Sequence, residues 1–238
     1  SFVGIQNSQY GTVKLGNMET VFKTLGDPLG ILGLSSGNFV SLSNVISSRV
    51  SFGTGSAGSF HLRRANSINY ETPEVSGFRV RLNYSPDESH GNPGTGLNAD
   101  LYAMGLQYKR GPLEASIATE IHNDFFAGSN GAPAVANPKD GLTGVHSKDT
   151  AYRATVLYAY SPTGKVQLNV ATVTFKETGG AAGKFESYDN MRWSATWEQG
   201  WGGGQWRTSV GYAAASAGSC ALVGGAACTT TGLGADML

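Results

Sequence analysis

Residues 67–84 read SINYETPEVSGFRVRLNY, two alternating stretches joined by a tight turn at Pro73–Gly77. In the first, Ile68 and Tyr70 share a face, and Ser67, Asn69 and Glu71 take the other. In the second, Phe78, Val80, Leu82 and Tyr84 oppose Arg79, Arg81 and Asn83. Side chains of a strand alternate with a period of two, so each stretch has one greasy and one charged face. A soluble sheet shows the same alternation with its apolar face packed on a core. Whether the greasy face here meets protein or lipid depends on the pattern of the remaining chain.

The chain has 238 residues, of which 34 are Gly and 14% are charged, with 17 basic residues against 17 acidic ones. Its zero net charge gives no basic footprint, so nucleic acid is not expected as a partner. No apolar run reaches the roughly 18 residues of a helical span, whereas the strands of a membrane barrel alternate and keep mean hydropathy modest. No signal peptide is visible, and the first residues read as the end of a strand, the expectation for a mature or trimmed chain.

The same alternation recurs along the chain. Val13 and Leu15 oppose Thr12 and Lys14. Tyr102, Met104, Leu106 and Tyr108 oppose Ala103, Gly105, Gln107 and Lys109. Leu113, Ala115, Ile117 and Ile121 oppose Glu114, Ser116, Glu120 and His122. Tyr152 to Tyr160, Val166 to Thr174, Met191 to Glu198 and Gln205 to Tyr212 repeat the pattern. No long helix is expected. The reading is all-β, about ten antiparallel strands with another beginning near Ala235.

The connections alternate between short and long. Short ones fall at Ser8-Gln9, Pro73–Gly77, Arg110–Pro112, Ser161–Lys165 and Gly200–Gly204. Long ones fall at Met18–Arg64, Ser85–Asp100, Asn123–Thr150, Lys176–Asp189 and Ala213–Gly234. Tight turns at one end and long loops at the other predict an up-and-down transmembrane β-barrel. The aromatics agree. Tyr70, Phe78, Tyr108, Tyr160, Trp197 and Trp206 fall outward near the short turns, and Tyr84, Tyr102, Tyr152 and Tyr212 outward near the long loops. β-propensity enriches aromatics in strands generally, but it does not gather them at strand ends on one face.

The opposite face carries Lys14, Arg79, Arg81, Gln107, Glu114, Glu120, Arg153, Asn169, Arg192, Glu198 and Arg207. So many long polar side chains need water, which predicts a wide aqueous lumen rather than a side-chain-filled barrel.

Gly11–Gly16 (GTVKLG), Asp27-Pro28-Leu29-Gly30, and Arg64–Pro73 (RANSINYETP) running into Ser76-Gly77-Phe78 resemble the general porins of Gram-negative bacteria, in the betaproteobacterial branch. The resemblance covers essentially the whole chain. It implies a homotrimer of barrels of about 16 strands in the outer membrane. Such a barrel sits in lipid and lipopolysaccharide, passes ions and small hydrophilic solutes passively, and needs no cofactor, metal or catalytic residue. On that plan residues 1–238 are one barrel domain, running from about the fourth strand to about the fourteenth, incomplete at both ends. The alternative is closure as a smaller barrel, since open strand edges are not tolerated in lipid. The sequence also departs from the plan at Asn17-Met18, where the family usually carries Arg-Gln, so one basic residue is expected to be missing from the constriction.

The resemblance assigns residues 18–64 to a loop folded into the lumen. Its length and its Leu29, Ile31, Leu32, Leu34 and Phe39 suit packing inside a barrel. The candidate pore-lining set is Lys14, Glu19, Asp27, Arg49, Arg64, Arg79, Arg81, Arg153, Arg192 and Arg207, with Glu19 and Asp27 facing wall arginines. Facing charges set ion preference in pores, and the excess of inward basics predicts a mild anion preference. The plainer reading is that these charges are merely solvated. Cys220 and Cys228 are either a disulfide closing a small loop in an oxidising compartment or two free thiols. Gly53–Gly58 (GTGSAG) matches the dinucleotide fingerprint but lacks the following helix, so it reads as loop. His61, His90, His122 and His146 show no metal-ligand spacing. A rival assignment is a ten-stranded outer-membrane protease, drawing on His122-Asn123-Asp124 and Asp87-Glu88. A plugged adhesin or receptor barrel fits the polar interior poorly.

Overall fold

The computed structural model describes residues 1–26, 29, 60, 63–86, 99–124, 144–228, 230 and 234–237. Asp27, Arg49, Gly53–Gly58, His61, Asp87-Glu88 and His90 lie outside the described residues.

Among the described residues, twelve strands form one antiparallel sheet. They are β1 (Phe2–Asn7), β2 (Gly11–Glu19), β3 (Arg63–Glu71), β4 (Phe78–Pro86), β5 (Asp100–Arg110), β6 (Leu113–Asn123), β7 (His146–Ala159), β8 (Gly164–Thr178), β9 (Phe185–Trp201), β10 (Trp206–Ala215), β11 (Ser219–Leu222) and β12 (Ala235–Met237). Each strand from β1 to β10 pairs with its sequence neighbours, and β12 follows β10. The short β11 leaves this path and pairs with the start of β9. Among the described residues between β2 and β3 lies a helix of six residues, α1 (Val21–Gly26). The all-β, up-and-down reading therefore holds, and short turns alternate with longer connections.

The turn of the deciding hairpin is built as its sequence demands. Val75 and Phe78 exchange both backbone hydrogen bonds at 2.9 Å around Ser76 and Gly77, whose φ angles are 54° and 88°. Two consecutive positive φ values make a primed hairpin turn, and Gly77 adopts its angle without a Cβ penalty.

β7, β8 and β9 run to 14, 15 and 17 residues. That is longer than the roughly 9–11 residues a membrane strand needs. These strands continue pairing beyond the apolar band, which shortens the expected 176–189 loop to residues 179–184. The alternation fades there in hydrophobicity, while the backbone ladder does not.

Burial is inverted relative to a soluble sheet. Along β7, Tyr152, Ala154, Val156 and Tyr158 are exposed, whereas Ser147, Asp149, Arg153 and Thr155 are buried. Val80, Leu106, Ile117, Ala154, Val170 and Trp193 form a continuous outward line of register partners across six strands. An exposed apolar surface of this extent marks contact with lipid. Cross-strand ring pairs sit at opposite ends of β4 and β5: Phe78 with Tyr108 at 4.7 Å and Tyr84 with Tyr102 at 4.9 Å. An outward line of partners starts at Tyr108 and passes Ala115, Val156, Leu168 and Ala195 to Tyr212. It begins in the lower aromatic belt and ends in the upper one, as strand tilt requires.

Candidate functional site

One inward line of register partners runs Thr12, Glu71, Arg81, Gly105, Ala118, Arg153, Ala171, Arg192, Ala215 across nine strands. It places Arg81, Arg153 and Arg192 on a single rising path, with small residues between them. The next inward line is polar throughout its middle: Arg79, Gln107, Ser116, Thr155, Asn169, Ser194.

The small residues are the seat of α1. Thr20 caps the helix, its Oγ1 accepting from the Lys23 amide at 3.3 Å. Val21, Phe22 and Leu25 pack on the wall with Ala103, Ala118, Ala151 and Ala171. A Cβ on Gly105 would clash with the Leu25 Cδ1 methyl and lie 3.2 Å from Val21 Cγ1. The last carbonyls of any helix lack partners within it, and here three adjacent strands supply them. Ser116 Oγ donates to the Leu25 carbonyl at 2.9 Å. Arg153 Nη2 donates to the Gly26 carbonyl at 2.6 Å, and Gln167 Nε2 to the same oxygen at 3.3 Å. Gln167 Oε1 in turn accepts from the Leu29 amide at 3.1 Å. The Arg153 guanidinium lies against the end of the helix because Gly26 has no side chain to displace it, and its charge complements the negative helix terminus.

The predicted basic residues thus fall into different environments. Lys14 Nζ pairs with Glu71 at 2.8 Å, and Arg81 approaches the same carboxylate at 3.9 Å while donating to Gln107 Oε1 at 3.0 Å. Gln107 donates onward to Glu114 at 2.6 Å, which also pairs with Lys109 at 3.2 Å. Arg79 meets Glu74 at 3.5 Å beside the turn, and Arg207 meets Glu198 at 3.6 Å. Arg153 and Arg192 are only 3% and 1% exposed. Arg153 is covered by α1, and Arg192 Nε donates to Asn190 Oδ1 at 2.5 Å. Glu19 pairs with Lys23 one turn on, at 2.8 Å, and is the register partner of Arg63. The Arg64 carbonyl accepts from Ser67 Oγ at 3.0 Å. The position at Asn17 is also put to use: Arg63 Nε donates to its Oδ1 at 3.0 Å.

Sequence reasoning passed over Gly26, Gly105, Ser116, Gln167 and Phe60 as site residues. The inward Gly105, Ala118 and Ala171 on one register line of β5, β6 and β8, flanking Arg153 of β7, were the available signal, legible once strand register is known. His122 and Asp124, the basis of the protease alternative, are engaged separately. His122 Nε2 is 2.8 Å from Glu120 Oε1 and its ring is stacked under Phe60 at 4.5 Å, while Asp124 lies 3.1 Å from His146 Nδ1. Cys220 and Cys228 form a disulfide, their Cα atoms 5.2 Å apart.

A family model described as Gram-negative porin matches residues 1–236. Among curated proteins, the chain is 24% identical over 156 residues to the major outer membrane protein P.IB of Neisseria lactamica, covering 64% of this chain and 41% of the relative. Among solved structures it superposes on the anion-selective porin from Comamonas acidovorans with a TM-score of 0.63 at 17% identity, over 93% of this chain and 59% of that one. A loop L8 deletion mutant of OmpT, an outer membrane protein of Vibrio cholerae, gives 0.61 at 13% identity, over 95% of this chain and 64% of that one. The chain thus spans well under two thirds of the curated relative and of the Comamonas porin.

Proposed function

This chain belongs to the Gram-negative porin family, and from that premise we propose that it walls an outer-membrane diffusion channel. Ions and small hydrophilic solutes cross it passively, with a mild preference for anions and without covalent chemistry. Within residues 18–64, the connection from the end of β2 at Glu19 to the start of β3 at Arg63 is the segment that narrows the lumen, and α1 lies at its beginning. The complete channel is a homotrimer in lipid and lipopolysaccharide.

The observation that carries this reading is the sheet's polarity. Its outward face is an apolar band between aromatic belts, and its inward face bears the charged lines and α1. On the central inward line three arginines stand against one glutamate. Arg153 and Arg192 act through their field, being covered, and Arg79 and Arg81 meet the solute path more directly. Reversal potentials in a salt gradient test the proposal. An anion-signed potential supports it, and a cation-signed one removes the assignment of selectivity to these arginines.

A further inference from the structure

An aromatic row links the inserted segment to the loop end of the sheet. Phe22 of α1 lies 6.0 Å from Phe60, near the other end of that segment. Phe60 lies 5.7 Å from Phe175 on β8, and Phe175 lies 6.3 Å from its register partner Tyr188 on β9. All four rings are buried. Tyr188 ends the row at the β11 hairpin: its hydroxyl donates to the Ala217 carbonyl at 3.0 Å, and Cys220 is its partner in register. Cys220 belongs to the same buried cluster as the four rings, and Cys228 packs against it. β11 has only four residues on the sheet. β11 meets the sheet through β9, and the disulfide, with the Cys228 amide bonded to the Cys220 carbonyl at 3.2 Å, closes the hairpin that β11 begins.

We propose that Phe60, Phe175 and Tyr188 are positioning residues, and that the Cys220–Cys228 hairpin is the outer abutment against which they hold the inserted segment. The wall contacts at Leu25 and Gly26 fix the end of α1, and the aromatic row fixes the same segment at Phe60. The width of the passage then depends on a disulfide hairpin remote from it. This inference rests on the porin reading.

The test uses full-length protein in planar bilayers, with channels inserted before perturbation. Tris(2-carboxyethyl)phosphine added to the loop side should raise open-channel current noise and shift the poly(ethylene glycol) exclusion limit toward larger chains. The double variant Cys220→Ser/Cys228→Ser should show that behaviour from the start and ignore the reductant. Phe175→Ala should reproduce it, Phe175→Leu should largely restore the native record, and reductant should add nothing to Phe175→Ala, because the linkage is already cut. Conducting channels indifferent to both reductant and the cysteine replacements overturn this inference alone, as does a full reductant effect in Phe175→Ala. A native protein that never conducts overturns the porin reading together with it.

Discussion

Gly105 is the position at which one added methyl should report on the whole arrangement. A Cβ there lies 3.2 Å from Val21 Cγ1 and closer still to Leu25 Cδ1, with the Ile117 carbonyl 3.0 Å away on the sheet side. Carbon pairs settle at about 3.5–4.0 Å, so α1 must retreat by roughly 0.3–0.8 Å at Val21 alone, and further at Leu25. The Ile117 carbonyl belongs to the β-ladder and cannot yield, so the movement falls on the helix, into the lumen. Overpacking of this kind costs about 1–3 kcal/mol, and Gly105→Val should cost more than Gly105→Ala. Leu25→Ala removes the blocking methyl at its own cost of about 2–5 kcal/mol. Combined with Gly105→Ala, it should destabilise by less than the sum, because the new methyl occupies the vacated space. Urea unfolding of the protein in liposomes measures the energies, and single-channel conductance measures the retreat, expected as a fall for Gly105→Val. A Gly105→Val channel with native conductance and native stability would refute the placement of α1 on this wall.

The latch at the helix end gives a second outcome. Gly26→Ala should expel the buried Arg153 guanidinium and break its hydrogen bond to the Gly26 carbonyl, which Gln167 Nε2 alone then serves, for about 1–3 kcal/mol, seen as a lower urea midpoint with faster proteolysis between β2 and β3. On the outward face, Ile117→Arg should cost about 2–4 kcal/mol in liposome folding equilibria, whereas Leu113→Arg, next to the short turn, should cost about 0–1 kcal/mol. Equal costs would contradict the assignment of an apolar band between belts. Replacing Arg79 and Arg81 together with Gln should lower the anion-to-cation permeability ratio from reversal potentials, and Glu71→Gln should raise it. Glu71 holds Lys14 at 2.8 Å and faces Arg81, so its removal frees two cations. An unchanged ratio in both variants would sink the role given to this cluster.

The sheet was legible because its chemistry is periodic. Phe78, Val80, Leu82 and Tyr84 announce an outward face by alternation alone, and the register partners Tyr102, Met104, Leu106 and Tyr108 confirm it. Strand ends were less legible. The upper parts of β7 to β9 alternate between polar residues of similar hydropathy, as at His146 to Thr150, so no hydrophobic period marks them. β11 was hidden for the same reason in a Gly, Ala and Thr-rich stretch. α1 spans under two turns, too short for a helical period to show. The arginines were visible individually, but not their partners. Arg81 takes Glu71 and Gln107 from two different strands, and Arg153 is drawn under α1 by a carbonyl 127 residues away in sequence. Such pairings are set by register and loop placement, which single-sequence periodicity does not encode.

The most direct test of the account is single-channel recording of the full-length protein in a planar bilayer under a salt gradient. Large, ohmic open steps with a reversal potential of anion sign are expected. Absence of open steps from folded, inserted protein, or a reversal potential of cation sign, would contradict it.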